Sequence, residues 1–209
     1  MPVGSEARRN DKSGITHTHQ FYTERNLFIL ALLWDKSKEN RVLRLSLTSI
    51  LFKTASLLHN IGIKKGKINL AGALPNSLYI PGNIAERNIF TLLKGKINDI
   101  ANAKLNKREN QNILSCMSLG SDIPKVIEEN QVDYIFIDPP FGSNLMYSEL
   151  NFIWESWLNV FTNSKPEAIV NKSQNKDIDD YRELMVRAFK SCYYILKPGR
   201  WMTVEFSNT

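Results

Sequence analysis

The stretch of this sequence best suited to chemistry is Asp138-Pro139-Pro140-Phe141-Gly142. The exocyclic amine of a nucleobase is a poor nucleophile, because its lone pair is delocalised into the ring. An enzyme that alkylates this amine must accept hydrogen bonds from the NH2 group as positive charge develops on the nitrogen. Asp138 supplies a charged acceptor, and the carbonyl of Pro139 supplies a second one at an angle fixed by the two prolines. Phe141 offers a flat face for a base that has been swung out of its stack.

The segment that leads into this stretch is predicted to be a strand over residues 132–137. Five of its six residues are apolar or aromatic, which is typical of a strand buried on both faces of a parallel sheet. Pro139 and Pro140 then end the strand, because proline has no N–H and a fixed φ. We therefore expect Asp138 and an exposed Phe141 ring at the carboxyl end of a central strand, where open α/β sheets bind their ligands.

The loop resembles motif IV, Asp-Pro-Pro followed by Tyr or Phe, of the S-adenosylmethionine-dependent DNA methyltransferases that act on amino groups. The wider run 138–150 is similar to one branch of the adenine-specific DNA methylases, in which Tyr-Ser-Glu-Leu begins a helix. The similarity covers residues 111–206. It implies an α/β fold with a Rossmann-like methyltransferase sheet, present here in part, and a helical N-terminal region. The alternative is that Asp-Pro-Pro-Phe-Gly is an ordinary turn.

The resemblance also implies a reaction, which is methyl transfer from S-adenosylmethionine to N6 of adenine in DNA. The residues expected to act in catalysis are Asp138, Pro139, Pro140 and Phe141, and those expected to contact the substrate are Gly142, Asn144 and Tyr147. Aspartate rather than asparagine at position 138 argues against the related enzymes that methylate glutamine side chains or RNA guanine. N4 of cytosine stays open as a target, because its amine has the same geometry.

Two further segments are candidates for the cofactor site. Residues 17–27 loosely resemble motif X of the same methyltransferases, which implies that Thr23 and Asn26, at a helix start, lie beside the methionine end of the cofactor. Thr23 could instead be only a helix cap. Ser118 follows a predicted strand at 112–117 and precedes a predicted helix at 123–129, so this β-α-β unit should bring Ser118 beside the Asp138 loop. The resemblance places that turn near the adenosine of the cofactor, and a plain connecting turn is the alternative.

The pattern along the chain predicts three regions: an extended lead-in at 1–22, a helical or inserted region at 23–110, and the methyltransferase core at 111–209. Helices are expected from Glu24, over 41–59 and over 84–105, with two short strands between 67 and 80. The core should contain an amphipathic helix at 150–161, with Trp154 and Trp157 in the hydrophobic core, a helix starting near Asp177, and a strand at 200–206. Cys192 falls in the apolar stripe of the helix that starts near Asp177.

Two features of such a methyltransferase are missing from the sequence. There is no glycine-rich turn of the Phe-x-Gly-x-Gly kind after a strand, and no acid placed to bind the ribose hydroxyls. We therefore interpret the chain as the target-base half of a larger methylase, whose remainder carries the glycine-rich cofactor motif. The chain alone is expected to bind the cofactor weakly or not at all.

Composition favours a polyanionic partner, because 27 lysines and arginines against 21 acidic residues give a net charge of +6. The basic residues cluster in three runs: Lys64, Lys65 and Lys67; Lys94 and Lys96; Lys104, Lys107 and Arg108. No apolar run is long enough for a membrane span, no Cys/His cluster has metal spacing, and two cysteines suit a cytoplasmic protein. The rival interpretation is a non-catalytic nucleic-acid-binding module with a methyltransferase-like fold.

Overall fold

The chain has a mixed α/β structure in a computed structural model that describes residues 1–103 and 112–206. It divides into two compact units. The described part of unit 1 is formed by residues 1–103 and 149–161, and that of unit 2 by residues 112–148 and 162–206. The segment 149–161, expected in the methyltransferase core, therefore packs with the N-terminal region.

Unit 1 is built from helices and one β-hairpin. Its elements are α1 (Glu24–Lys36), α2 (Arg41–Thr54), β1 (His59–Lys64), β2 (Lys67–Ala73), α3 (Ile89–Asn102) and α6 (Phe152–Leu158). Each of α1, α2 and α3 begins at a residue whose side chain accepts a backbone N–H from the first turn: Thr23, Asn40 and Asn88 respectively. The helix start predicted before Glu24 is confirmed.

Three elements of unit 1 differ in their bounds from the prediction, and one of them is the helix expected over 84–105, which begins at Ile89 and ends at Asn102. The helix expected over 41–59 ends at Thr54, where Ala55 leaves the helical region of φ and ψ. The hairpin expected within 67–80 lies earlier, since β1 and β2 pair in antiparallel fashion around Lys65 and Gly66. These two residues have φ values of 52° and 72°, as a two-residue type I′ turn requires. Lys65-Gly66, rather than Gly72 or Pro75, makes the turn.

The core of unit 1 is formed by fully buried side chains from several segments. They include Phe21, Leu30, Leu47, Ile50, Leu51, Leu58 and Ile153. Trp154 and Trp157 pack against this cluster, as predicted. The indole N–H of Trp157 donates to the hydroxyl of Tyr22 at 3.2 Å, and burial raises the pKa of Tyr22.

Residues 1–22 are expected from the sequence to be extended, but they form turns that pack against the rest of unit 1. They contain 3-10 turns at Asp11–Ser13 and Thr18–Phe21, and they bury Ala7 and Phe21. The Asn10 side chain donates to the carbonyl of Leu78 at 2.7 Å, which ties the segment to the chain after the hairpin.

His59 is a buried histidine at the start of β1. Its side chain is only 4% exposed, and Nε2 lies 2.9 Å from the carbonyl oxygen of Phe52, so Nε2 carries the proton and donates. Burial lowers the pKa of His59, the Phe52 carbonyl partly opposes this, and the charges of Arg87 and Lys53 add to the lowering. The folded protein therefore holds the imidazole neutral.

This burial predicts a loss of stability in mild acid. The unfolded chain takes up a proton on His59 near pH 6.5, whereas the folded chain resists it until lower pH. We therefore expect the contribution of His59 to be intact above pH 6.5 and to fall as the pH drops through that value. Urea unfolding of wild type and His59→Gln across this range is the measurement. Parallel pH profiles for the two proteins would contradict the prediction.

Unit 2 contains a parallel pair of strands, β3 (Val132–Ile137) and β4 (Leu196–Val204), with α4 (Ile123–Val126) and α7 (Ile178–Ile195). Helix α5 (Tyr147–Leu150) follows the Asp138 loop where the chain passes into unit 1. The bounds predicted for β3 are confirmed. Cys192 is buried in α7 as expected, and burial raises the pKa of its thiol.

Several expectations for unit 2 are wrong in detail. Residues 112–117 form no strand, and Ile113 and Leu114 are 94% and 100% exposed, because no described strand pairs with them. The helix predicted over 123–129 stops at Val126. Strand β4 begins at Leu196, four residues before the predicted start, and takes in Lys197-Pro198-Gly199. In unit 1, the helix predicted over 150–161 is interrupted at Asn151, between α5 and α6, and ends at Leu158.

Strand β3 is also less buried than its apolar sequence predicted. Tyr134 and Phe136 are 55% and 58% exposed. In the described part of the chain, β3 pairs with β4 in a sheet of two strands. A sheet this small has no further strands to carry covering layers, so its apolar residues stay accessible.

Candidate functional site

The Asp138 loop begins where β3 ends, and the ladder with β4 fixes its starting point. The Glu205 N–H donates to the carbonyl of Ile137 at 2.9 Å, so the pairing continues to the residue before Asp138. Asp138 is exposed. Among the described residues, none donates a hydrogen bond to its carboxylate or to the carbonyl of Pro139. Two acceptors on consecutive residues are thus without a described donor at the carboxyl end of a parallel strand.

The second proline is held by Tyr181, a contact that the sequence did not indicate. The Tyr181 hydroxyl donates to the carbonyl of Pro140 at 2.9 Å. Tyr181 sits at the start of α7, where Asp177 accepts the N–H groups of Asp179 and Asp180 at 2.9 and 3.0 Å. These bonds lower the pKa of Asp177, with the bond from the Asp180 N–H as the largest cause, and they fix the first turn of the helix. The capping of α7 therefore positions the group that holds the Pro-Pro loop.

Phe141 is half-buried rather than fully exposed as expected. Its ring meets that of Phe206 in a T-shaped arrangement, with centroids 5.4 Å apart and planes at 88°. Phe206 comes just after β4, so both neighbouring strand ends contribute an aromatic ring. The contact limits the orientations open to Phe141.

The expected substrate-binding residues lie in the turn that follows. Gly142 has a φ of +54°, which favours glycine at this position, and its carbonyl accepts the Val170 N–H at 3.0 Å. The Asn144 N–H donates to the carbonyl of Phe141 at 3.1 Å, while the Asn144 side chain is exposed. Tyr147, the first residue of α5, is 42% exposed. The residues predicted to act in catalysis and to contact the substrate thus lie in one continuous loop of unit 2, at 138–147.

A polar network joins this turn to the segment 162–176. Glu167 accepts from the backbone N–H and the hydroxyl of Ser148 at 3.2 and 2.8 Å, and from the Gln174 side chain at 3.1 Å. The Lys176 ammonium donates to the carbonyls of Ser164 and Glu167, both at 2.6 Å. Burial lowers the pKa of Lys176, while Glu167 and Asp180 oppose this. No sequence motif marks these residues, because their partners are distant along the chain.

The candidate cofactor residues of unit 1 have structural partners. Thr23 Oγ1 accepts the Asn26 N–H at 3.3 Å and donates to Glu86 Oε1 at 2.5 Å. Asn26 is 2% exposed, and its amide donates to the carbonyl of Arg87 at 3.1 Å. The Asn26 amide thus already has a structural partner, and its contact with a cofactor stays a prediction. The contacts of Thr23 favour the alternative role of helix cap.

Ser118, the third candidate, lies in a turn of unit 2. Its N–H donates to Asp122 Oδ2 at 3.0 Å, and this bond is the main cause of the lowered pKa of Asp122. The strand at 112–117 that was to carry Ser118 to the Asp138 loop is not formed. Its position beside a cofactor therefore stays a prediction.

The basic runs differ in their surroundings. Lys65 and Lys67 are exposed on the hairpin, and Lys94 is exposed on α3, whereas Lys96 pairs with Asp99 at 2.9 Å. The third run, Lys104, Lys107 and Arg108, lies outside the described residues. Within the described ranges, no group of three or more metal-ligating side chains comes together, and no helix there is both long and apolar enough to cross a membrane.

Comparison with known proteins gives no relative. No protein-family model matches the chain, and neither a curated protein nor a solved structure is significantly similar to it.

Proposed function

We propose that this chain supplies the target-base half of an S-adenosylmethionine-dependent DNA methyltransferase that acts on N6 of adenine. The observation that carries the proposal is the pair of available acceptors, the Asp138 carboxylate and the Pro139 carbonyl, at the end of parallel strand β3. Tyr181 engages the carbonyl of Pro140 and leaves that of Pro139 for a ligand. This arrangement suits an NH2 group, which has two hydrogens to donate.

Each residue of the loop has a defined task in this proposal. Asp138 and the Pro139 carbonyl accept the two hydrogens of the amine and aim the nitrogen lone pair away from the loop. As the nitrogen gains positive charge, the negative charge of Asp138 stabilises it more than it stabilises the neutral base. Phe141, oriented by Phe206, stacks on the extruded base. S-adenosylmethionine would supply the methyl group through cleavage of its sulfonium C–S bond and leave as a neutral thioether, and the methylated nitrogen would release one proton to solvent.

The cofactor site belongs elsewhere in this proposal, because Thr23 and Asn26 already have structural partners and the sequence has no glycine-rich turn after a strand. We assign that site to the remainder of a larger methylase. The exposed aromatic residues of the sheet, Tyr134, Phe136 and Trp201, support this assignment. Parallel sheets are normally covered on both faces, so a Rossmann-like sheet completed by further strands and helices would bury these side chains. A cytoplasmic location goes with a DNA substrate and this cofactor.

Two alternatives to methylation of adenine are a different target base and a non-catalytic role. N4 of cytosine presents the same NH2 geometry to Asp138 and Pro139. A non-catalytic nucleic-acid-binding module is favoured by one observation, the structural use of the expected cofactor residues. The two alternatives give different products, since one makes N4-methylcytosine and the other makes none.

The experiment is methyl transfer to unmethylated DNA, followed by mass spectrometry of the nucleosides. We expect the purified chain alone to yield no methylated base, since half a site is insufficient to hold the cofactor near micromolar affinity, which takes about 8 kcal/mol. Co-expression with the segments encoded on either side of it should yield N6-methyladenine. A complete assembly that binds the cofactor and methylates neither adenine nor cytosine would overturn the proposal.

A further inference from the structure

The hairpin formed by β1 and β2 carries positive charge without any compensating acid. Residues 59–73 include Lys64, Lys65 and Lys67 and contain neither aspartate nor glutamate. Lys65 and Lys67 are exposed, and no described carboxylate forms an ion pair with either of them. Their ammonium groups are therefore available to an anionic partner.

The same hairpin exposes an apolar pair near its tip. Ile63 and Ile68 face each other across the two strands, and they are 80% and 79% exposed. Side chains opposite each other in an antiparallel pair lie on one face of the ribbon. These two isoleucines take no part in the buried core of unit 1. Exposed edges of a β-sheet usually carry charged residues or proline, so an exposed aliphatic pair in this position is unusual.

The base of the hairpin is held to the rest of unit 1 by backbone hydrogen bonds, so the tip extends from a fixed point. His59 is buried, its carbonyl accepts the Ala85 N–H at 2.8 Å, and Asn60 bridges to Ile84. From His59 the strand extends by about 3.4 Å per residue towards the turn. The lysines and isoleucines thus stand at the far end of an anchored two-stranded ribbon.

We propose that this hairpin is a DNA-contacting element that binds duplex DNA through one of its grooves. The choice of DNA as the polyanion rests on the proposed function, but the hairpin argument does not involve Asp138 or any methyl transfer. A two-stranded ribbon has the width to enter a groove, its lysines neutralise phosphates, and exposed isoleucines can pack against base edges or wedge between base steps. A bilayer with anionic lipids is the competing partner for such a basic and apolar tip.

Fluorescence anisotropy of a short labelled duplex, titrated with the full chain at several salt concentrations, separates the two contributions. Lys65→Gln/Lys67→Gln should weaken binding and lower the slope of log affinity against log salt by about 2, since each phosphate contact accounts for about 1. Ile63→Thr/Ile68→Thr should weaken binding with the slope unchanged. Threonine keeps the β-branched shape, and circular dichroism checks that each variant is folded.

Lys36→Gln/Lys190→Gln is the matched control, because it removes the same charge from exposed positions on α1 and α7 outside the three basic runs. An equal loss in the control and hairpin lysine variants would show that net charge alone matters, and the inference would fall. It would also fall if hairpin variants bound duplex normally but lost binding to phosphatidylserine vesicles. Normal methylation by an assembly carrying the hairpin variants, with DNA affinity unchanged, would overturn this inference and leave the proposed function standing.

Discussion

Replacing Asp138 by alanine is expected to reduce methyl transfer by a hundredfold or more in the complete assembly, while fold and DNA affinity stay nearly unchanged. Removing one hydrogen-bonding group that acts on transition-state charge typically costs about 10²–10³ in rate. Asp138 is exposed, and its removal breaks no hydrogen bond within the part of the chain that the structure describes. The effect should therefore appear in kcat rather than in folding.

Asp133 provides a matched control on β3, the strand that ends just before Asp138. It is also exposed, but its carboxylate pairs with Lys197 at 3.0 Å and with Arg200 at 3.3 Å, and the bond from Lys197 is the main cause of its lowered pKa. Asp133→Ala makes the same chemical change five residues away and should leave turnover intact. The measurement is the initial rate of tritium transfer from labelled cofactor to DNA. Near-normal turnover of the Asp138→Ala assembly would remove Asp138 from the proposed chemistry.

Local sequence signals predicted the elements around the candidate site well. The apolar run of residues 132–137 and the prolines that follow it predicted the bounds of β3 correctly, and β3 lies in a parallel ladder with β4. The Thr23 cap and the Asp177 start of α7 also follow from short-range hydrogen bonding, which depends on residue types a few positions apart. Such short-range contacts can be predicted from neighbouring residue types in the sequence.

Contacts between distant residues were not predictable in the same way. Tyr181 lies in an ordinary helical stripe, and nothing in its sequence neighbours indicates a bond to Pro140. The apolar content of β3 suggested two covered faces, yet burial depends on how many strands and helices assemble around a strand. For the same reason the apolar residues near Leu114 predict a strand that does not form, because pairing with a neighbour decides whether such a run becomes one.

Glu149 is the clearest residue that sequence reasoning missed, and its replacement should have the largest effect on stability. Within unit 1 it is 1% exposed, and its Oε2 accepts the N–H groups of Glu6 and Ala7 at 2.7 and 3.0 Å. Hydrogen bonds to a charged acceptor contribute about 1.5–3 kcal/mol each. Since relief of the buried charge offsets part of the loss, we expect Glu149→Ala to lower the free energy of unfolding by about 3 kcal/mol.

Urea unfolding measures this loss, and limited trypsin digestion locates it. The freed segment should be cut faster after Arg8 and Arg9, which follow the two anchored N–H groups. Glu149→Gln keeps one acceptor oxygen and should lose less stability. Glu129→Ala, the same substitution at an exposed position, should be close to wild type. Equal unfolding midpoints for Glu149→Ala and Glu129→Ala would show that the carboxylate does not anchor the segment.

Gly4 allows a second test of the contact between the Glu149 carboxylate and the N-terminal segment. A Cβ placed on Gly4 would lie 2.0 Å from Cδ and 2.2 Å from Oε2 of Glu149, so Gly4→Ala must displace either the segment or the buried carboxylate. We expect Gly4→Ala to destabilise the wild-type chain and to cost much less in the Glu149→Ala background, where the clashing carboxylate is gone. This non-additivity is the signature of two residues in direct contact. Additive losses in the four-protein cycle would mean that Gly4 and Glu149 act on stability separately.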